Sequence, residues 1–288
     1  MTTLPNKKVS VVIPNYNYAR YIKKRIWSVV RQTYPIYELI ILDDASTDNS
    51  VEIINAELKK VREEYPQLKM KFLQNKYNVG KAMAAWKKGF ELASGDFVWI
   101  AEADDLCSGR FLEEVMTGFE DPEVVLSYAE SMIINKWGVV IAPNFRWYRD
   151  KEKTGHYKQS YIKDGRDEIQ EIMAIRCTIP NVSGVVIRND KKFLNYFNEA
   201  LKYTQVGDWY FYVKILENGR ISYNRKALNK FRIHKGSVTA GAKKAEQHLR
   251  EIQEMYKYFE NNYKLNDEVK KRMRGEVERV RARMQCSS

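Results

Sequence analysis

The chain is poor in the residues that make stapled or membrane-spanning scaffolds. Its 288 residues include three cysteines (Cys107, Cys177 and Cys286) and three histidines. An odd number of widely spaced cysteines fits neither a disulfide framework nor a zinc site, so the expectation is a reducing, cytosolic compartment. Long hydrophobic runs are also missing. No stretch approaches the roughly 18 uncharged apolar residues of a membrane span, and the first apolar run, Val11–Ile13, is too short for a signal-peptide core. No two glycines are separated by a single residue, which removes the dinucleotide fingerprint. The nearest approach to a P-loop, Gly236 to Lys244, lacks the closing Gly-Lys-Ser/Thr. Acidic residues are outnumbered, 37 against 49 basic, which gives a net charge of +12 and directs attention to an anionic partner.

What is present suffices for a core. With 44% hydrophobic and 12% aromatic residues, disorder is excluded for most of the length. The first hundred residues repeat one unit, a short apolar run followed by turn residues and an amphipathic helix. The runs are Val9–Ile13, Leu39–Leu42, Met70–Leu73 and Phe97–Ala101, and the helices carry Ile22, Ile26 and Val29, then Val51, Ile54, Leu58 and Val61, then Ala82, Trp86 and Ala93. Strands buried on both faces and alternating with helices predict an α/β fold with a mainly parallel sheet. Beyond Val124 the pattern changes. Strands are predicted at Val124–Tyr128, Met132–Asn135, Val139–Ala142 and Asn181–Arg188, with a long loop over residues 143–166. Helical spacing returns at Leu249–Tyr263 and, after a cap at Asn266-Asp267, at Val269–Met284.

In open α/β sheets a ligand lies outside the carboxyl ends of the strands. Each of the first four runs here ends in a polar cluster: Pro14-Asn15-Tyr16-Asn17, Asp43-Asp44, Asn78-Val79-Gly80 and Glu102-Ala103-Asp104-Asp105. Any one alone reads as a turn or a cap. Together they place an aromatic ring, amides, a glycine and several carboxylates around one crevice. Three carboxylates within four residues repel one another unless a cation sits among them, and hard oxygen ligands suit Mg2+ or Mn2+. The competing reading is that Asp104 and Asp105 cap the next helix.

The order and spacing of Val9–Asn17, Leu42–Asp48, Asn78-Val79-Gly80, Ala93–Phe97 and the carboxylate cluster resemble the family 2 glycosyltransferases of GT-A fold. The likeness is strong over residues 7–130, weaker to 240, and absent from the C-terminal helices. It implies a GT-A domain over 1–240, with a donor half (7–130) and an acceptor half (131–240), and a helical segment over 241–288. It implies that Pro14, Tyr16 and Asp44 contact the base of a nucleotide sugar, uridine most often, with Asp43 adjacent. Asn17, Asn78, Gly80 and Ala103 complete the donor site. Glu102-Ala103-Asp104 is similar to the family's D-x-D element, whose second carboxylate holds Mn2+ or Mg2+, with Glu102, Asp105 and His234 as further candidate ligands. Val206-Gly207-Asp208-Trp209 resembles the motif that carries the general base, Asp208, and Phe231 to Thr239 resembles an Arg-x-His-x-x-Ser loop.

Three departures stand out. Glu102 replaces an aspartate, Gly207 replaces an acidic neighbour so that Asp208 must rely on burial near Trp209, and Ala84-Ala85-Trp86 replaces an Arg-Asn pair, leaving Lys81 to supply positive charge. The implied reaction is inverting transfer of a sugar to a hydroxyl of a glycan or lipid-linked acceptor in surface-polysaccharide synthesis. Trp147, Tyr148, Tyr157 and Tyr161 either cover the donor, stack on acceptor sugars or pack. The last helix carries seven basic and three acidic residues between Glu268 and Gln285. It packs on the body, pairs chains into a homo-oligomer, or touches an anionic membrane from its cytoplasmic face. The rivals are a nucleotide-sugar-binding pseudoenzyme and a basic nucleic-acid-binding protein. Against the latter, the crevice is acidic and no nucleic-acid-binding motif is present, so no nucleic-acid partner is expected. The sequon Asn181-Val182-Ser183 carries little weight without a secretion signal.

Overall fold

The alternation along the first apolar run decides the architecture. In the computed structural model, which describes residues 7–149, 155–234 and 242–285, Val9, Val11 and Ile13 enter one core cluster while Val12 enters another, so the sheet is covered on both faces. The first elements run β1 (Val9–Asn15), α1 (Ala19–Val30), β2 (Glu38–Asp43), α2 (Ser50–Glu64), β3 (Lys69–Gln74), α3 (Ala82–Leu92) and β4 (Phe97–Ile100). β3, β2, β1 and β4 lie side by side and parallel, as the repeated strand–helix pattern predicts. Their carboxyl ends therefore share one edge.

The rest of the chain departs from the sequence reading. It continues with β5 (Leu106–Cys107), α4 (Phe111–Met116), β6 (Val124–Ile134), β7 (Val140–Ala142), α5 (Arg146–Arg149), β8 (Tyr161–Asp164) and α6 (Gly165–Glu168). It ends with β9 (Val185–Arg188), α7 (Phe193–Ala200), α8 (Gly207–Leu216), β10 (Arg220–Arg232), α9 (Ala242–Asn262) and α10 (Asp267–Gln285). The sheet is wholly parallel in its first half and mixed in its second. β9 runs antiparallel to both β4 and β6, while β10 pairs parallel with β6 and antiparallel with β5 and β8. The two strands expected at Val124–Tyr128 and Met132–Asn135 are one, because the polar residues between them find partners inside. Glu130, fully buried, takes the Arg149 guanidinium and the Tyr223 hydroxyl. The expected loop over 143–166 contains α5, β8 and a 3₁₀ turn at His156–Lys158, and the strand expected from Asn181 starts only at Val185, after a 3₁₀ turn.

The C-terminal helices pack on the body. Ile252, Met255 and Phe259 of α9 and Val269, Met273 and Val280 of α10 join the larger core cluster, with Trp209 lying 5.5 Å from the Phe259 ring. The cap at Asn266 forms as predicted, its Oδ1 accepting from the Val269 N–H at 2.8 Å. Glu268, Glu276 and Glu278 each pair with an arginine of α10. Among the described residues no helix is long and apolar enough to cross a membrane.

Candidate functional site

At the carboxyl end of β2 the two adjacent aspartates divide their work. Asp43 is buried and takes Asn15 Nδ2 (2.8 Å), Ser46 Oγ (2.6 Å) and Ser46 N–H (2.9 Å), which shapes the turn. Asp44 accepts from the N–H groups of Val79 and Gly80 (3.0 Å each) and from Asn75 Nδ2 (2.7 Å). It thereby holds the Asn78-Val79-Gly80 loop, where Gly80 has φ +69°, a conformation that favours glycine. Asn78 itself is exposed. Asp43, Asp44, Asn75, Val79, Lys81 and Ala84 help line a cavity of about 240 Å³. Lys81 also reaches the Leu201 carbonyl at 3.3 Å. Tyr16 is 42% exposed near this edge, and Asn17, at φ +56°, accepts from the Thr47 and Asp48 N–H groups. Of the residues expected at the donor, Asp43, Asp44 and Lys81 line this cavity, while Pro14, Tyr16, Asn17, Asn78, Gly80 and Ala103 do not. Pro14 is buried within β1 and Ala103 is fully buried in the core.

After β4 the carboxylates separate. Glu102 accepts from Trp86 Nε1 at 2.6 Å, and Asp105 takes Asn181 Nδ2 and, at 2.8 Å, the Arg232 N–H. Asp104 faces His234, with Oδ2 to Nε2 at 2.9 Å. Burial, and then the Asp104 charge, push Glu102 up to about 8 and Asp105 upward as well, against the lowering effect of Arg25. Among the described residues no three His, Cys, Asp or Glu side chains gather as a metal site. Of the four expected ligands, then, the structure pairs Asp104 with His234, while Glu102 and Asp105 turn to other partners. A carboxylate beside an imidazole fits a divalent ion that takes its remaining ligands from phosphate and water.

Asp208 opens α8 and faces a second cavity, of about 210 Å³, shared with Phe145, Tyr148, Arg176, His248 and Glu276. Burial raises its carboxyl above the ordinary range, and the Trp209 N–H, donating at 2.8 Å, offsets part of that rise. Gly207 has a packing reason. A Cβ there would stand 2.9 Å from the Ala200 carbonyl oxygen, leaving no room for the acidic residue expected before the base. The buried Tyr212 phenol is held well above its usual range by burial and then by Asp208, Cys177 and Glu102.

Several residues outside the sequence expectations build this site. Arg25 is fully buried with its guanidinium 5.2 Å from the Trp99 ring, and its charge draws Glu102 and Asp105 back toward ionisation. Its sequence signal was its spacing, three residues after Ile22 and four before Val29, which sets it on the apolar face. Asn181 and Ser183, dismissed above as a sequon, hold Asp105 and the Glu102 N–H. Tyr18 and Tyr21 set their rings 5.7 Å from that of His234. His248 had no setting in the sequence and lines the Asp208 cavity. Of the loop aromatics, Tyr148 lines that cavity, Tyr157 and Tyr161 pack against Tyr223, and the Trp147 side chain lies outside the described residues, as do 235–239 of the Arg-x-His-x-x-Ser segment and Cys286.

Glu251 of α9 is the least legible of these residues. Only 2% exposed, it accepts from the N–H groups of Thr204 (2.8 Å), Gln205 (2.7 Å) and Val206 (3.1 Å), the turn that delivers Asp208. Replacing Glu251 by Ala strands these donors and is expected to cost on the order of 3 kcal/mol, read as a lowered Tm by calorimetry. An unchanged Tm would show that water satisfies the turn.

A family model described as Glycosyl transferase family 2 matches residues 10–178. An uncharacterized glycosyltransferase of Nostoc sp. is 38% identical over 119 residues, 41% of this chain and 34% of that protein, so the chain spans about a third of that relative's length. The UDP-Glc:alpha-D-GlcNAc-diphosphoundecaprenol beta-1,3-glucosyltransferase WfgD of Escherichia coli is 27% identical over 241 residues, 81% of this chain and 79% of its own. The mannosyltransferase PcManGT of Pyrobaculum calidifontis, solved with GDP-Man and Mn2+, superposes with a TM-score of 0.61 at 17% identity over 94% of this chain and 69% of that one, a likeness of fold.

Proposed function

The chain belongs to glycosyl transferase family 2 and has the GT-A fold, and from that premise we propose that it moves a sugar, with inversion, from a UDP-linked donor to a hydroxyl of a glycan or lipid-linked acceptor. The observation that carries this reading is the carboxylate of Asp208, held above its ordinary range at the wall of a cavity of about 210 Å³. The E. coli relative, whose printed activity joins a UDP-sugar to a diphosphoundecaprenol-linked sugar, supports the donor and acceptor classes.

In this reading residues 7–130 hold the donor. The cavity lined by Asp44 and Lys81 takes the nucleotide, with Asn78 and Gly80 flanking its wall residue Val79 and with Tyr16 and Asn17 in the turn after β1. Residues 131–240 carry the base and the acceptor side, and α9 and α10, within 241–288, complete the wall. Asp104 and His234 would hold a divalent ion. When bound, that ion supplies charge neutralisation at the leaving diphosphate. Asp208 takes the proton of the acceptor hydroxyl as its oxygen attacks the anomeric carbon from the face opposite the diphosphate. Glu102 and Asp105, tied to Trp86, Asn181 and Arg232, fix the direction of Asp104.

The test is a thermal-shift screen of nucleotide sugars with and without Mn2+, with free nucleoside diphosphates as controls. A UDP-sugar is expected to raise Tm in the presence of Mn2+ and much less in its absence, since a ligand present at about 100 times its Kd stabilises by about 2.7 kcal/mol. Stabilisation by no donor would overturn the reading.

A further inference from the structure

The turn after β6 and the strand that follows it carry apolar side chains into solvent. Trp137 is 65% exposed, Val139 59%, Val140 46% and Ile141 57%. Ile233, whose N–H donates to the Ile134 carbonyl at 2.9 Å, is 47% exposed. Successive side chains of a strand point to opposite faces, so β7 stands clear of the body on both. The tip is held rigidly outward. Asn135 Oδ1 accepts from the Trp137 N–H at 2.9 Å and the Val139 N–H at 3.1 Å, and Gly138 turns the chain at φ +92°.

Its charge is one-sided. Between Glu130 and Asp150 the sequence has no acidic residue; of its basic residues Arg146 and Arg149 face the buried Glu130, which leaves Lys136 as the charge at the tip. At the tip the Lys136 ammonium lies 4.3 Å from the Trp137 ring centroid. An aromatic residue beside a lysine on a convex apolar tip suits the boundary between lipid headgroups and acyl chains. A second copy of this chain seated on the same tip would bring two Lys136 ammonium groups together, which repel.

We propose that the β6–β7 hairpin seats the protein on an anionic lipid surface, with Trp137, Val139 and Ile141 entering the headgroup boundary. This moves the membrane contact away from α10, whose apolar stripe is spent inside the core. The hairpin is also joined to the site. Arg232 donates from one nitrogen to the Asn135 carbonyl at 2.8 Å and from another to the Asp104 carbonyl at 2.5 Å, and Phe145, three residues beyond β7, lines the Asp208 cavity. A lipid-linked acceptor would then arrive beside the base. That consequence rests on the transfer reading, whereas the lipid contact does not.

The experiment is sedimentation of the full chain with phosphatidylcholine vesicles, with and without phosphatidylglycerol, at low and high salt. Binding is expected to phosphatidylglycerol-containing vesicles, weakened by salt, and reduced at least about tenfold in the variant Trp137→Ser/Val139→Ser/Ile141→Ser. The Tm of that variant should match the parent, because the replaced side chains are exposed. Binding to neither vesicle, equal binding to both, or undiminished binding by the variant would each overturn the proposal. So would a concentration-dependent dimer lost in the variant without vesicle binding. No donor or acceptor is present, so failure here leaves the transfer reading to its own test.

Discussion

Asp208→Asn is expected to lower kcat for sugar transfer by about 10²–10⁴-fold while leaving the donor Kd unchanged. The substitution keeps the shape and the contact with the Trp209 N–H but removes the proton acceptor. The pH profile of the parent adds an independent sign. Burial disfavours the carboxylate, so its folded-state pKa lies above the ordinary value and a protonated, inactive fraction persists to higher pH. Activity should therefore fall, as pH is lowered, through an acid limb set above the usual aspartate range. Steady-state kinetics from mildly acidic to neutral pH, together with donor titration by calorimetry, check both. Unchanged turnover in the variant would remove Asp208 as the base.

Asp104→Asn is expected to abolish Mn2+-dependent stabilisation by the donor and to cut transfer by about 10²–10³-fold. A purely structural residue would behave differently in the absence of metal. The charge of Asp104 raises Glu102, Asp105 and Tyr18, so replacing it by a neutral isostere removes a like-charge penalty. The metal-free Tm should hold or rise, not fall. Donor-dependent and metal-free melting curves of parent and variant separate the two roles. A variant that still responds to Mn2+ and donor would place the ion elsewhere.

Legibility followed the range of the interactions. β1 to β4, their helices and the polar clusters at their ends were readable because each rests on contacts between near neighbours, with apolar spacing and turn chemistry in one short window. β10 was not readable. Arg220–Arg232 mixes basic, polar and apolar residues without alternation, and it becomes a strand because it pairs with β6, nearly a hundred residues away, and with β8 and β5. In the same way Glu130 looked like a break between strands until Arg149 and Tyr223 satisfied it inside.

The sequence alone determined that this is an α/β chain with its polar clusters at the ends of the first four strands, because the residues that bring Asp44, the Asn78–Gly80 loop and the carboxylates to that edge are local and periodic. Only the tertiary structure decided which carboxylate meets His234, that Glu102 and Asp105 are held elsewhere, and that α9, through Glu251, holds the turn before Asp208. Those outcomes depend on desolvation and on hydrogen bonds between segments far apart in the chain. Neither quantity is a property of any single stretch of sequence.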